Sequence, residues 1–152
     1  MNRITKAVAT LAAAVACTSG GAVDDEPPRQ VLDEQRAPLA FVSPVGLTMI
    51  GERLLFSAFH VLRGQELWRS DGTTAGTVIV KDIRPGFQGS FPSGHVRFDG
   101  ALYFSADDGE SGFELWKSDG TAEGTSRVAD IRPGREGSMP TMLTVWRDCL
   151  VF

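Results

Sequence analysis

Short apolar runs, separated by polar residues and turn-forming pairs, fill the chain from about residue 43 onward. The runs are rich in aliphatic and aromatic residues and only a few residues long, which is typical of β-strands. Two of them flank the pair Gly51-Glu52 and predict a β-hairpin. The strands predicted in this first stretch are residues 47–50, 54–58, 66–70 and 77–83.

The same pattern returns 48 residues later. Aligning residues 51–98 with residues 99–146 without a gap gives 23 identities in 48 positions, including ELWRSDGT at 66–73 and ELWKSDGT at 114–121. The register continues to Leu150, which falls on Leu102. This self-similarity indicates an internal duplication followed by a partial third copy.

Each copy predicts four strands and then a long connection. Residues 84–93 hold Pro85 and Pro92, which keep this segment out of a sheet ladder. Asp99-Gly100 lies between two apolar runs and is a strong hairpin signal. We therefore predict an all-β fold of tandem four-stranded antiparallel blades, β-propeller-like, with two full repeats plus a partial third. The blades are expected at about residues 47–83, 94–131 and, in part, 142–152.

The first sixteen residues have the pattern of a signal peptide. Arg3 and Lys6 precede the ten-residue apolar run AVATLAAAVA at 7–16. As a helix this run would be about 15 Å long, half of a bilayer's hydrocarbon thickness. We interpret residues 1–16 as a secretory signal, with a buried Ala-rich helix as the alternative.

The segment ends in Ala14-Val15-Ala16-Cys17, which resembles a bacterial lipobox, although Ala14 replaces the usual Leu. This resemblance implies lipidation of Cys17 and a membrane anchor, with Thr18 favouring the outer membrane. Plain secretion after an Ala-x-Ala cut is the alternative. Residues 17–42 are polar and contain three Pro, so we expect a flexible tether.

Composition narrows the choice of partners. Seventeen Gly and eight Pro favour frequent chain reversals. The formal net charge is −4, and removal of residues 1–16 leaves 13 basic against 19 acidic residues. Nucleic acid is therefore not expected as a partner, because phosphate binding needs clustered basic residues.

The repeated motif Glu-Leu-Trp-x-Ser-Asp-Gly-Thr, followed by Gly-Thr and Asp-Ile, resembles the ELWxxDGT repeat proteins of myxobacteria and other environmental bacteria. The resemblance covers about residues 43–152. It implies an exported protein of propeller-like repeats without an established activity. Members of that family usually carry many copies, so the resemblance also implies that this chain is a fragment of a larger propeller.

The repeated polar residues are predicted to be structural. Each copy supplies the same carboxylate at the same place, whereas an active site needs one unique set of groups. We expect the Glu to satisfy backbone groups, the Trp to pack between blades and the Asp to cap its turn. This motif consists of Glu66, Trp68, Asp71, Gly72, Glu114, Trp116, Asp119 and Gly120.

One loop gathers carboxylates that are not repeated. Asp107, Asp108 and Glu110 are weak calcium candidates, because calcium prefers six to eight oxygen ligands. A solvated turn is the alternative, since no Asp-x-Asp-x-Asp spacing occurs. His60 and His95 occupy non-equivalent positions and predict neither zinc binding nor a catalytic triad. We expect no catalytic residues and no cofactor.

The sequence thus predicts a non-enzymatic, cell-surface or secreted binding module. Its partner is expected to be an extracellular peptide or polysaccharide, bound by the variable segments 59–65, 87–91 and 107–113. The alternative is a propeller hydrolase or lyase that acts on polysaccharide. We also expect self-association through an unpaired strand at 150–152, beside the free thiol of Cys149.

Overall fold

The computed structural model describes residues 44–152. The predicted signal peptide, tether and Cys17 therefore lie outside the described residues. Over the described range the chain forms ten β-strands and no helix, so none of these residues forms a helix long and apolar enough to cross a membrane. The prediction of an all-β fold with antiparallel four-stranded sheets is confirmed.

Sheet 1 contains four antiparallel strands in chain order. The strands are β1 (Val45–Ile50), β2 (Arg53–His60), β3 (Gly64–Ser70) and β4 (Val78–Lys81). The central pair, β2 and β3, is the longest, with seven consecutive Cα partners from Leu54↔Ser70 to His60↔Gly64. Alternation along this pair places Phe56 and Trp68 opposite each other on one face.

Sheet 2 repeats this order, and a two-stranded hairpin follows it. Its strands are β5 (Ser93–Phe98), β6 (Ala101–Asp107), β7 (Phe113–Ser118) and β8 (Ser126–Arg127); the hairpin is β9 (Thr144–Trp146) and β10 (Cys149–Val151). β8 is much shorter than predicted. Polar Ser126 and Arg127 occupy the places of Val78 and Ile79, so this outer strand has little apolar surface to hold it on the sheet.

Positive φ angles mark the tight turns and one recurrent irregularity. Asp99 and Gly100 adopt φ of +46° and +76°, as the Asp-Gly pair predicts for a two-residue hairpin turn. Gly46 and Gly94, both at φ +67°, lie where the register of β1 and of β5 shifts against the neighbouring strand. These shifts are β-bulges that bend the first strand of each sheet.

The largest apolar core lies between the two sheets. From sheet 1 and its connection it takes Ile50, Leu55, Leu67, Val80 and Ile83; from sheet 2 it takes Leu102, Phe104, Ala106 and Trp116. Two hydrogen bonds join the sheets at the edge of this core. Arg69 donates to the carbonyl of Gly120 at 2.8 Å, and Lys81 donates to the carbonyl of Thr125 at 2.8 Å. The sheets are therefore joined face to face, by apolar packing inside and hydrogen bonds outside.

The two ends of the sheets carry different kinds of turn. At one end, which we call the hairpin end, lie the short turns around Gly51, Gly100 and Arg147. The opposite end, the loop end, carries the β2–β3 turn, the β6–β7 loop and the connection 84–92. Strand β1 also begins at the loop end, since Val45 pairs with Ser57 near the end of β2.

We expect Phe104→Ala to destabilise the chain by about 3–5 kcal/mol, because it removes a fully buried aromatic ring from the core between the sheets. Urea denaturation of the full chain measures this change. Met142→Ala, at a side chain that is 90% exposed, is the control and should change stability by less than about 0.5 kcal/mol. Equal effects of the two substitutions would contradict the assignment of this core.

Candidate functional site

The repeated glutamate of sheet 1 accepts four hydrogen bonds from its own chain. Glu66 lies on β3 and is fully buried. The backbone N–H groups of Ile83 and Arg84 donate to it at 3.2 Å, and that of Ser90 donates at 3.0 Å. The Ser90 hydroxyl adds a bond of 2.6 Å. All of these donors belong to the connection that leaves β4, so the carboxylate ties this connection back to its own sheet.

Sheet 2 reproduces this arrangement around Glu114. Ile131 and Arg132 donate backbone N–H groups at 3.3 and 3.1 Å, and Ser138 donates its N–H at 3.0 Å and its hydroxyl at 2.6 Å. In both sheets the carboxylate oxygens are used to satisfy backbone donors, as the sequence predicts. A group already bonded to four donors is poorly placed to transfer protons to a substrate.

The two glutamates nevertheless differ in protonation. Burial raises the pKa of Glu66 to about 7, against the opposing effect of its hydrogen bonds. Burial acts on the pKa of Glu114 in the same direction, but the hydrogen bonds, led by that of Ser138, outweigh it and hold the pKa below its usual range. The surroundings explain the contrast: Ile83 is 6% exposed beneath sheet 2, whereas its counterpart Ile131 is 44% exposed.

The motif's aspartate and threonines form a closed turn at the hairpin end. Asp71 accepts from the N–H and hydroxyl of Thr73, and these bonds lower its pKa. A Cβ on Gly76 would lie 2.0 Å from the Asp71 carboxylate, so a larger residue there would displace this side chain from its position in the turn. Below the turn, the Ser70 hydroxyl bonds to that of Thr77 at 2.7 Å. The same contacts recur at Ser118, Asp119, Thr121, Gly124 and Thr125.

The turn glycines of the motif have a backbone role. Gly72 and Gly120 adopt φ of +95° and +90°, which side-chain-bearing residues rarely accept. Their N–H groups donate to the hydroxyls of Ser70 and Ser118 at 3.1 and 3.0 Å. The motif therefore encodes turn geometry with its Asp, Gly, Ser and Thr positions.

The two motif tryptophans pack differently. Trp116 belongs to the core between the sheets, as expected. Trp68 is fully buried and donates its indole N–H to the carbonyl of Ala58 at 3.0 Å. Among the described residues its cluster contains only members of sheet 1, such as Leu54 and Phe56. Thus Trp116 packs between the two sheets, whereas Trp68 packs within sheet 1.

The carboxylates of the acidic loop face arginines. Asp107 forms an ion pair with Arg84 and accepts from the N–H of Gly109 at 2.7 Å. Asp108 accepts two backbone N–H groups of its own loop and lies 3.8 Å from the Arg127 guanidinium. Within residues 44–152 no group of three or more His, Cys, Asp or Glu side chains is arranged to hold a metal ion. Calcium binding here stays a prediction, and the adjacent guanidinium groups disfavour it.

The histidines occupy separate places. His95 stacks on Phe104 at 6.1 Å between ring centroids, and its Nε2 is buried without a partner among the described residues. Gly46 of sheet 1 approaches this ring so closely that a Cβ there would meet its Nδ1. Burial lowers the pKa of His95 to about 4. His60 instead packs 6.0 Å from the Trp68 ring in sheet 1.

Two surface features complete the candidate sites. A shallow groove at the hairpin end is lined by Arg97, Phe98, Asp99, Val145, Arg147 and Asp148. Exposed apolar side chains gather at the loop end of sheet 1, where the equivalent loops of sheet 2 are charged. The sequence analysis names 59–65 and 87–91 as variable segments but does not identify their exposed apolar character, although comparison of residues 59–62 with 107–110 contains the signal.

Comparison with known proteins identifies no relative: no protein-family model, no curated protein and no solved structure matches the chain. The resemblance of the repeated motif to the ELWxxDGT proteins therefore stays a prediction.

We expect the two glutamates to give opposite pH dependences. The folded-state pKa of Glu66 is raised, so its contribution to stability is present below pH 4.5 and is lost as the pH rises to about 7. The folded-state pKa of Glu114 is lowered, so its contribution is present above pH 4.5 and is lost as the pH falls.

Urea denaturation of wild type, Glu66→Gln and Glu114→Gln across pH 3–8 tests this expectation. The stability of wild type relative to Glu66→Gln should fall with rising pH, by at most about 1.4 kcal/mol per pH unit. Relative to Glu114→Gln it should rise with pH. Parallel curves for the two variants would refute the influence of sheet 2 on Glu66.

Proposed function

We propose that this chain is an exported, non-enzymatic binding module built from propeller-like blades. Sheets 1 and 2 are the two blades in this proposal, and the β9–β10 hairpin begins a third. The ELWxxDGT-like motif, the signal-like residues 1–16 and the lipobox-like residues around Cys17 support an exported surface protein. In the lipidated form, Cys17 would anchor it to the outer membrane.

The main support for a binding role is the matched use of the motif carboxylates. Glu66 and Glu114 each accept three backbone N–H groups and one serine hydroxyl. Asp71 and Asp119 each close a turn. Because these carboxylates already accept hydrogen bonds from their own backbone, they are poorly placed to act as acid and base in hydrolysis.

The groove at the hairpin end offers a surface for an extracellular ligand. Its lining combines two arginines, two aspartates and one phenylalanine. Such alternation of charges beside an aromatic ring suits a peptide or a polysaccharide, which present both polar groups and apolar faces.

The alternative, a hydrolase or lyase acting on polysaccharide, would depend on the unrepeated carboxylates. Asp107 and Asp108 are occupied by Arg84, Arg127 and loop N–H groups. Hydrogen bonds from the Ser111 and Glu110 N–H groups outweigh desolvation and, with Arg127, hold the pKa of Asp108 below its usual range, which opposes a role as general acid. The enzyme therefore remains the second candidate.

Acylation at Cys17 is the first prediction of this proposal. Metabolic labelling of bacterial cells with a palmitate analogue should mark the wild-type chain and leave Cys17→Ala unlabelled, because the thiol is the acceptor of the lipid. Cys149→Ala is the matched control and should keep the label. Absence of label from the wild type, or unchanged labelling of Cys17→Ala, would contradict lipidation at Cys17 and favour plain secretion.

The second prediction is that the chain has no glycan-cleaving activity. Incubation with acidic and neutral bacterial polysaccharides should release no reducing ends or unsaturated products, and calcium should leave the melting temperature unchanged. Cleavage that disappears in Asp108→Asn with Glu110→Gln would establish the enzyme instead. A calcium-dependent rise in melting temperature would show that the acidic loop binds the ion.

A further inference from the structure

Sheets 1 and 2 meet through faces of different kinds. Sheet 1 contributes aliphatic side chains such as Leu55 and Ile83 to the core between the sheets, whereas sheet 2 contributes the side of β6 and β7 that carries Phe104 and Trp116. Because side chains alternate along a strand, the counterparts of the sheet 1 residues lie on the other side of sheet 2. We call this side the open face; it consists of Tyr103, Leu115, Val128 and Ile131.

The outer part of the open face is uncovered. Val80 and Ile83 are 7% and 6% exposed beneath sheet 2, whereas their counterparts Val128 and Ile131 are both 44% exposed. The same apolar positions of the repeat are thus buried in one sheet and exposed in the other. The difference lies in the covering sheet, because sheet 2 itself covers these positions of sheet 1.

The β9–β10 hairpin begins a cover of the same kind. Leu143 approaches Gly94 of β5, where a Cβ would lie 3.4 Å from its side chain, and His95 lies in the same way against Gly46 of β1. Among the described strands β10 pairs only with β9, so its other edge is free. In sheet 2 the corresponding edge, that of β6, pairs with β7, which carries Trp116. A free edge of this kind accepts a further strand.

The cover of sheet 1 shows which chemistry the occupant would have. Arg69 of sheet 1 donates to the main-chain carbonyl of Gly120, which belongs to the motif turn of sheet 2. The counterpart of Arg69 on sheet 2 is Lys117, which is exposed and carries the same charge. A second motif turn lying over sheet 2 would therefore present a carbonyl to Lys117. Apolar positions, free edge and cation all match a strand pair of the Glu-Leu-Trp-x-Ser-Asp-Gly-Thr type.

A second copy of this chain has no such strand pair to offer. Trp116 and Phe104 are covered by sheet 1. Their counterparts Trp68 and Phe56 on sheet 1 are fully buried as well. Both motif tryptophans of the chain are thus already packed, and a covering strand must come from a different polypeptide.

We propose that the open face binds a β-hairpin of the same motif, supplied by another polypeptide. The hairpin would add to the free edge of β10 and place its tryptophan against the open face, as β7 does beside β6. The site depends on how the described sheets pack, and not on export, lipidation or the groove at the hairpin end. It therefore extends the proposed function without relying on it.

Binding of a synthetic peptide tests the proposal. The probe is a fluorescein-labelled peptide that copies residues 64–81, which contain β3, the motif turn and β4. Its fluorescence anisotropy is measured with the full chain carrying Cys17→Ser, which excludes lipidation. We expect saturable binding. A peptide with Trp68→Ser should have a dissociation constant at least tenfold higher, because the indole provides the largest apolar area buried against the open face.

Substitutions in the protein locate the site. Val128→Asp combined with Ile131→Asp should raise the dissociation constant at least tenfold, because two carboxylates would be buried beneath the peptide. The matched control combines Val61→Asp with Leu62→Asp, at side chains of the β2–β3 turn that are 57% and 58% exposed. This control should bind the peptide like its parent. Urea denaturation verifies that both variants are folded.

Three results would overturn the proposal. These are the absence of saturable binding, equal binding of the Trp68→Ser peptide, and equal loss of binding in the two protein variants. Sedimentation velocity of the chain alone adds a fourth: dimers that disappear in the Val128→Asp, Ile131→Asp variant would assign the open face to a second copy. None of these results bears on the ligand groove, since Val128 and Ile131 do not line it.

Discussion

A buried carboxylate that binds the backbone of its own connection is the interaction on which the rest of the structure depends. Without Glu66 as acceptor, the N–H groups of Ile83 and Arg84 and the hydroxyl of Ser90 would need other partners. With them, it folds back along sheet 1 and presents the carbonyl of Ser90 to the N–H of Asp107 at 2.9 Å. Sheet 2 is therefore positioned by a connection that sheet 1 has already ordered.

This dependence also explains why identical residues behave differently. Glu66 and Glu114 have equivalent donors, but Ile83 beside Glu66 belongs to the core between the sheets, whereas Ile131 beside Glu114 is 44% exposed. Desolvation by a neighbouring sheet is an effect of the assembly, and no local motif encodes it. The chemical character of a repeated residue thus depends on its place in the array.

Much of the fold could be predicted from sequence because strand alternation and the Asp-Gly turn are local signals. The structural role of the motif carboxylates also followed from their repetition. The expected extent of the second blade, to residue 131, overestimates the length of β8, because polar Ser126 and Arg127 replace Val78 and Ile79.

Other features depend on contacts distant in sequence. The approach of Gly46 to His95 requires the bulge in β1 and the packing of two sheets, which no spacing reveals. The pairing of Arg84 with Asp107 likewise joins different sheets. The exposed apolar side chains of the β2–β3 turn contrast with the charged residues of the β6–β7 loop, and only a comparison of the two copies reveals this difference in the sequence. The order of the strands could be predicted from the sequence, whereas the environment of each side chain could not.

His95 makes the contact between the two sheets sensitive to acid. Leu47 and Leu143 occupy the equivalent positions of the other copies, so this imidazole replaces an aliphatic side chain. Acid would place a proton on a ring that packs against Phe104 and Gly46, and the stability that the neutral ring provides is lost as the pH falls from 6.5 towards 4. The contribution of Glu66 to the stability of the fold increases as the pH falls through much of that range. Mild acid therefore weakens the contact that His95 makes between the two sheets.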